Sequence, residues 1–180
     1  MSTRVLHVSD LHFGARKTPD RPDAEHAIRE LVERVDPALV VATGDLTHRG
    51  RRAEHEAAAG FLRSLGPPLL VVPGNHDIPL LPPARFVGTW NQFEREWETT
   101  EPVYATDSLH VVGLNSVRPW RHQSGAIRDG QLARAAQRLD EAKPGALRIV
   151  CLHHQLLSAP WRTRKKPVSR RSHVLARLVD

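Results

Sequence analysis

Seven polar residues stand where they could carry metal chemistry: Asp10, His12, Asp45, Asn75, His76, Asp77 and His153. Each group follows an apolar run of strand character: Val5–Val8, Leu39–Ala42, Leu69–Val72 and Leu147–Leu152. Asp10 and His12 are two residues apart, so in extended chain their side chains share one side and can chelate one cation. Asp45 follows Gly44, which lets the backbone turn sharply and bring the carboxylate close to a second site. A mixed Asp, Asn and His set suits a hard to borderline divalent ion such as Mn, Fe or Zn. The absence of thiol ligands argues against a structural zinc site. The expected arrangement is two cations about 3.5–4 Å apart that share a carboxylate and a bridging water. Such a pair depresses the pKa of that water toward neutrality and supplies a hydroxide nucleophile without a dedicated protein base.

Taken singly, each residue has an ordinary structural role. Asp10 or Asp45 alone is more often a cap or turn residue, Asn75 a turn residue and Asp77 an N-cap. His12 or His153 alone is more often a satisfied structural histidine. What speaks for chemistry is position. Strands alternate with helices along the first half: Arg4–Ser9, a helix over Asp23–Val35, Ala38–Thr43, a helix over Arg51–Leu65 and Leu69–Val72. A βαβαβ series implies parallel strands with right-handed crossovers. The carboxyl ends of such strands lie along one sheet edge, where ligands bind. The four segments would meet there.

The second half is less regular. Ile78–Pro83 reads as a proline-rich loop, and Arg85–Glu98 as a helix with Phe86, Trp90, Phe93 and Trp97 on one side. Val103–Tyr104 and Leu109–Leu114 form a hairpin across Asp107-Ser108. Asp129–Ala142 is amphipathic, Leu147–Leu152 is another strand, and Ser172–Val179 begins a last helix.

The 180 residues suit one domain, spanning 1–180. They are 40% hydrophobic and 26% charged, ordinary for a globular protein. No apolar run approaches a membrane span, and no secretory leader is visible. Cys151, the single cysteine, fits a reducing compartment, so the expected location is cytoplasmic. A net charge of +6 favours anionic partners such as phosphates or nucleotides. Nucleic acid is the less favoured partner. The basic run Trp161–Arg171 holds six Arg or Lys and no acid, with Trp161 available to stack on a base, but such runs are usually solvated loops.

Asp10-Leu11-His12, Gly44-Asp45, Gly74-Asn75-His76-Asp77 and Leu152-His153-His154 resemble the ordered motifs of the calcineurin-like metallophosphoesterases. The stretches VSDLHFG, VVATGDLTHRG and VVPGNHD are similar to the bacterial cyclic-nucleotide phosphodiesterase-like branch. The resemblance implies an α/β fold, a four-layer αββα sandwich with two mixed β-sheets. It implies that Asp10 and His12 bind one metal, that Asp45 bridges both, and that Asn75 and His153 bind the second. His76 would stabilise the transition state or protonate the leaving oxygen, with Asp77 orienting it. The implied activity is hydrolysis of phosphate esters, foremost phosphodiesters; a phosphomonoesterase, a nuclease and a non-catalytic scaffold are the alternatives. Arg49 falls where some branches place a phosphate-binding arginine, but His48 replaces their Asp, and Arg49 reads as a solvated surface residue. The family's closing Gly-His-x-His motif does not follow His153, and His173 lacks its glycine. The expectation is a domain truncated before its last strands.

Overall fold

The computed structural model describes residues 3–15, 21–121, 124–157 and 167–179. A first sheet holds β1 (Val5–Val8), β2 (Leu39–Thr43) and β3 (Leu69–Val72) in that order. Both pairings are parallel, with Val5 opposite Leu39 and Val40 opposite Leu69. Helices α1 (Arg21–Val35) and α2 (Arg52–Arg63) make the crossovers. The second sheet holds β4 (Val103–Ala105), β5 (Leu109–Gly113) and β6 (Leu147–Cys151), after the short helix α3 (Asn91–Trp97). Here β4 pairs antiparallel with β5, and β5 pairs parallel with β6 across α4 (Asp129–Asp140). Helix α5 (Arg171–Val179) follows.

Strand alternation sorts the apolar side chains into three cores. On β2, Val40 and Ala42 join Leu6, Val8, Val71, Ala58, Phe61, Leu62 and Phe93 beneath the helices of the first sheet. The intervening Leu39 and Val41 face the other way and meet Leu70, Val72, Leu109 and Val111 between the sheets. Val112 and Leu114 pack with Leu132, Ala135 and Val174 on the far side, under α4 and α5. Helices, sheet, sheet and helices therefore stack in four layers, the αββα order implied by the motifs. The first sheet is wholly parallel and the second mixed.

One element is shorter than its apolar spacing predicts. Residues 85–90 are turns, and only Asn91–Trp97 is helical. Gly88 has φ +68°, outside the right-handed helical region, so the helix cannot pass through it. Phe93 is buried in the first core, whereas Phe86 is left exposed. Residues 161–166 of the basic run lie outside the described residues.

Candidate metal centre

The chain leaves β1 and β2 side by side, and backbone hydrogen bonds keep the two tails together. Asp10 N–H donates to Gly44 O (3.1 Å), His12 N–H to Asp45 O (2.9 Å) and Phe13 N–H to Leu46 O (2.7 Å). Asp10, His12 and Asp45 do not sit in extended backbone, as their spacing suggested. Their φ values are 57°, 47° and 52°, in the left-handed region that few side chains adopt. The ladder between the tails holds them there. Gly74 closes the site from β3: a Cβ on it would lie 2.1 Å from Asp45 N and 2.2 Å from Asp45 Oδ1. Only a glycine lets the two turns touch at that point.

Asp45 lies at the centre and is 4% exposed. Its Oδ2 faces His12 Nε2 at 4.0 Å, and that nitrogen lies 3.9 Å from Asp10 Oδ1. Its Oδ1 faces His153 Nε2 at 3.5 Å, and His153 Nε2 lies 3.3 Å from Asn75 Oδ1. One carboxylate thus looks toward two sets of donors, Asp10 with His12 on one side and Asn75 with His153 on the other. The His153 ring is fixed by Thr43 O, 2.8 Å from Nδ1. A carbonyl oxygen only accepts, so Nδ1 carries the proton and Nε2 keeps a lone pair. In the neutral ring that lone pair faces an amide oxygen and a carboxylate oxygen, the latter also accepting from His76 N–H (2.8 Å). Among the described residues no lysine or arginine pairs with Asp10 or Asp45. Oxygen and imidazole donors with no cation of their own fit divalent metal ions.

His76 Nδ1 lies 2.7 Å from His48 O, which by the same reasoning places a proton on Nδ1 and turns Nε2 outward. Asp77 does not touch the His76 ring, contrary to the orienting role expected of it. It is 1% exposed and sits under the loop. Its Oδ1 accepts from Thr47 N–H (2.8 Å) and its Oδ2 from Gly74 N–H (2.8 Å). Burial raises its pKa, and those two N–H groups pull it back. Asp77 therefore ties the β3 turn to the β2 turn, and the His48 carbonyl orients His76.

His48 itself escaped sequence reasoning. Its ring stacks on His76 at 5.9 Å and stands edge-on to His12 at 6.3 Å. Ring nitrogens of all three approach within 4.8 Å of one another. Its pKa is lowered, first by desolvation and then by the neighbouring Arg49 charge. Arg49 is exposed as expected, yet it also lines a cavity of about 170 Å³ with His48, Asn75, His76 and Arg85. No sequence signal pointed to Arg85, which is buried and donates to Pro119 O (2.6 Å) and Pro79 O (3.0 Å). His154 meets Ser116 Oγ through Nδ1 (2.8 Å). His173 pairs with Asp129 at 2.7 Å, apart from the site.

The family model for calcineurin-like phosphoesterases matches residues 3–174. The chain belongs to that family. It is 28% identical over 165 residues to a probable cyclic nucleotide phosphodiesterase of Synechococcus, covering 86% of this chain and 58% of the relative. Over 82 residues it is 35% identical to a glycerophosphodiester phosphodiesterase of Enterobacter lignolyticus, covering 41% and 29%. The chain thus spans less than two thirds of these relatives. Among solved structures, a dimetal phosphatase from Danio rerio superimposes with TM-score 0.65 at 13% identity, over 98% of this chain and 77% of that one. A purple acid phosphatase from yellow lupin seeds gives 0.62 at 14% identity, over 87% and 31%. These likenesses bear on the fold alone. No helix among the described residues is long and apolar enough to cross a membrane.

Proposed function

We propose that the protein is a dinuclear metal-dependent phosphodiesterase. The observation that carries this reading is Asp45, whose two carboxylate oxygens face separate donor sets. Asp10 and His12 would hold one divalent cation, Asn75 and His153 the other, and Asp45 both; Mn, Fe and Zn suit the donors. When bound, such a pair supplies Lewis acidity toward a phosphoryl oxygen and acidifies water to a hydroxide nucleophile.

The protein's own groups do the rest. Displacement at phosphorus leaves negative charge on the departing oxygen, and a positioned acid lowers that barrier. His48 O holds the Nδ1 proton of His76, so in the imidazolium state Nε2 would carry the second proton and donate it there. The small cavity beside it, with Arg49 and Arg85 in its wall, would take the anionic end of the substrate. Asp77 keeps the loop rigid so that Asn75 and His76 stay aimed together. Relatives named as phosphodiesterases support a diester substrate, with nucleotides among the candidates.

The test is hydrolysis of bis-p-nitrophenyl phosphate with and without Mn, together with metal analysis. Asp45→Ala is expected to lower the rate at least about a thousandfold, since several kcal/mol of charge stabilisation disappear. Hydrolysis that survives a chelator, or survives Asp45→Ala, would overturn the metal mechanism.

A further inference from the structure

A larger cavity, of about 430 Å³, opens beside the second sheet, between the loop after β5 and the start of α4. That volume lies in the range of small-molecule sites. It shares no lining residue with the cavity against His76. Its wall carries three arginines and two tryptophans: Arg118, Arg128, Arg134, Trp90 and Trp120.

The charges there do not balance. Arg134 pairs with Glu101 at 2.9 Å, and Glu101 also takes the Gln131 amide. Arg118 and Arg128 have no carboxylate within ion-pair distance among the described residues. Arg118 is 6% exposed. It donates to the Asn115 and Val117 carbonyls and to Gln131 Oε1, all neutral groups. Burial lowers its pKa to about 10, so it remains charged at neutral pH. Glu101, engaged with Arg134, offsets part of this charge from beyond ion-pair distance, while Arg128 and Arg121 oppose it; a bound anion would neutralise what remains.

Two further features describe the anion. Gly130, in the first turn of α4, lines the cavity, and a helix's first N–H groups have no partner within the helix. A Cβ on Gly130 would meet only Arg134 Nη1, at 3.8 Å, so a ligand can come close to that backbone. Trp120 is 60% exposed, an unusual state for a large indole, and Arg128 lies 5.9 Å over its ring. An exposed indole capped by a guanidinium offers a stacking platform for a planar base.

We propose that this cavity binds a nucleoside monophosphate, its phosphate between Arg118 and the α4 N-terminus and its base against Trp120 and Trp90. The site is independent of the metal centre and would be occupied in metal-free protein.

Calorimetry on chelator-treated protein tests this with AMP, adenosine and inorganic phosphate as probes. AMP is expected to bind one per chain, and each of its halves about tenfold more weakly. Trp120→Ala and Arg128→Ala, both at exposed positions, should each weaken AMP about tenfold, while Asp45→Ala leaves it unchanged. A thermal melt of each variant separates lost binding from lost folding. The proposal fails if AMP does not bind, or if phosphate binds as tightly as AMP. It also fails if Asp45→Ala abolishes binding while the Trp120 and Arg128 variants retain it.

Discussion

The two sheet edges carry opposite imbalances of charge. At the first, Asp10 and Asp45 gather with imidazoles and an amide, and no lysine or arginine answers them among the described residues. At the second, Arg118 and Arg128 gather with indoles and carbonyls, and among the described residues neither makes an ion pair, the nearby Glu101 being taken by Arg134. Of these, Asp45 and Arg118 are buried, and a folded protein rarely leaves buried charge uncompensated. The sign of what is missing therefore states the sign of the ligand, a cation at one edge and an anion at the other.

If the edges are separate, damage to one should not be felt at the other, and the strongest blow falls on the metals. Asp45→Ala should remove hydrolysis while AMP still binds; loss of both in a folded variant would join the two edges. Next comes His76→Gln, expected to slow diesters with poor leaving groups about a hundredfold or more. Esters of p-nitrophenol, whose oxygen needs little protonation, should suffer far less. An equal loss on both would deny His76 its role at the leaving oxygen.

Gly74→Ala should act through packing. Its Cβ would press into Asp45, so stability in urea should fall by about 1–3 kcal/mol and metal affinity should fall with it. Binding of AMP by the fraction still folded should hold. The smallest effect concerns the seam between the sheets, where Cys151 lies against the shared core. Burial raises its pKa to about 11 from 9.0. The unfolded chain loses this proton first, so the contribution is complete below pH 9 and disappears as pH rises through about 11. The loss should be on the order of 2 kcal/mol, and Cys151→Ala should lack it in alkaline denaturation curves.

How much of this was legible in the sequence depends on the kind of residue. Apolar runs marked every strand, because alternation and burial leave a local trace: Leu69–Val72 is found as read. The convergence of Asp10, His12, Asp45 and Asn75 followed from the parallel first sheet, whose strand ends lie on one edge. His153 comes not from that edge, as expected, but from β6 of the second sheet. The region over Arg85–Glu98 misled because its aromatic spacing outweighed Gly88, whose backbone angle ends the pattern. Asp77 misled because adjacency to His76 does not mean contact, and a buried carboxylate takes the nearest N–H groups. Arg118 and Arg85 gave no sign, since arginine is normally exposed and nothing local announces a buried one.

The left-handed backbone at Asp10, His12 and Asp45 has one more consequence. Asp and His are among the few non-glycine residues found in that conformation with any frequency, and they are also among the commonest ligands for hard to borderline metals. Chemistry and backbone shape thus filter for the same short alphabet at three positions. Alanine at any of them removes the donor and also strains the turn, so its effect mixes two losses. Glycine removes the donor and keeps the turn, which makes it the substitution that isolates the ligand from the fold.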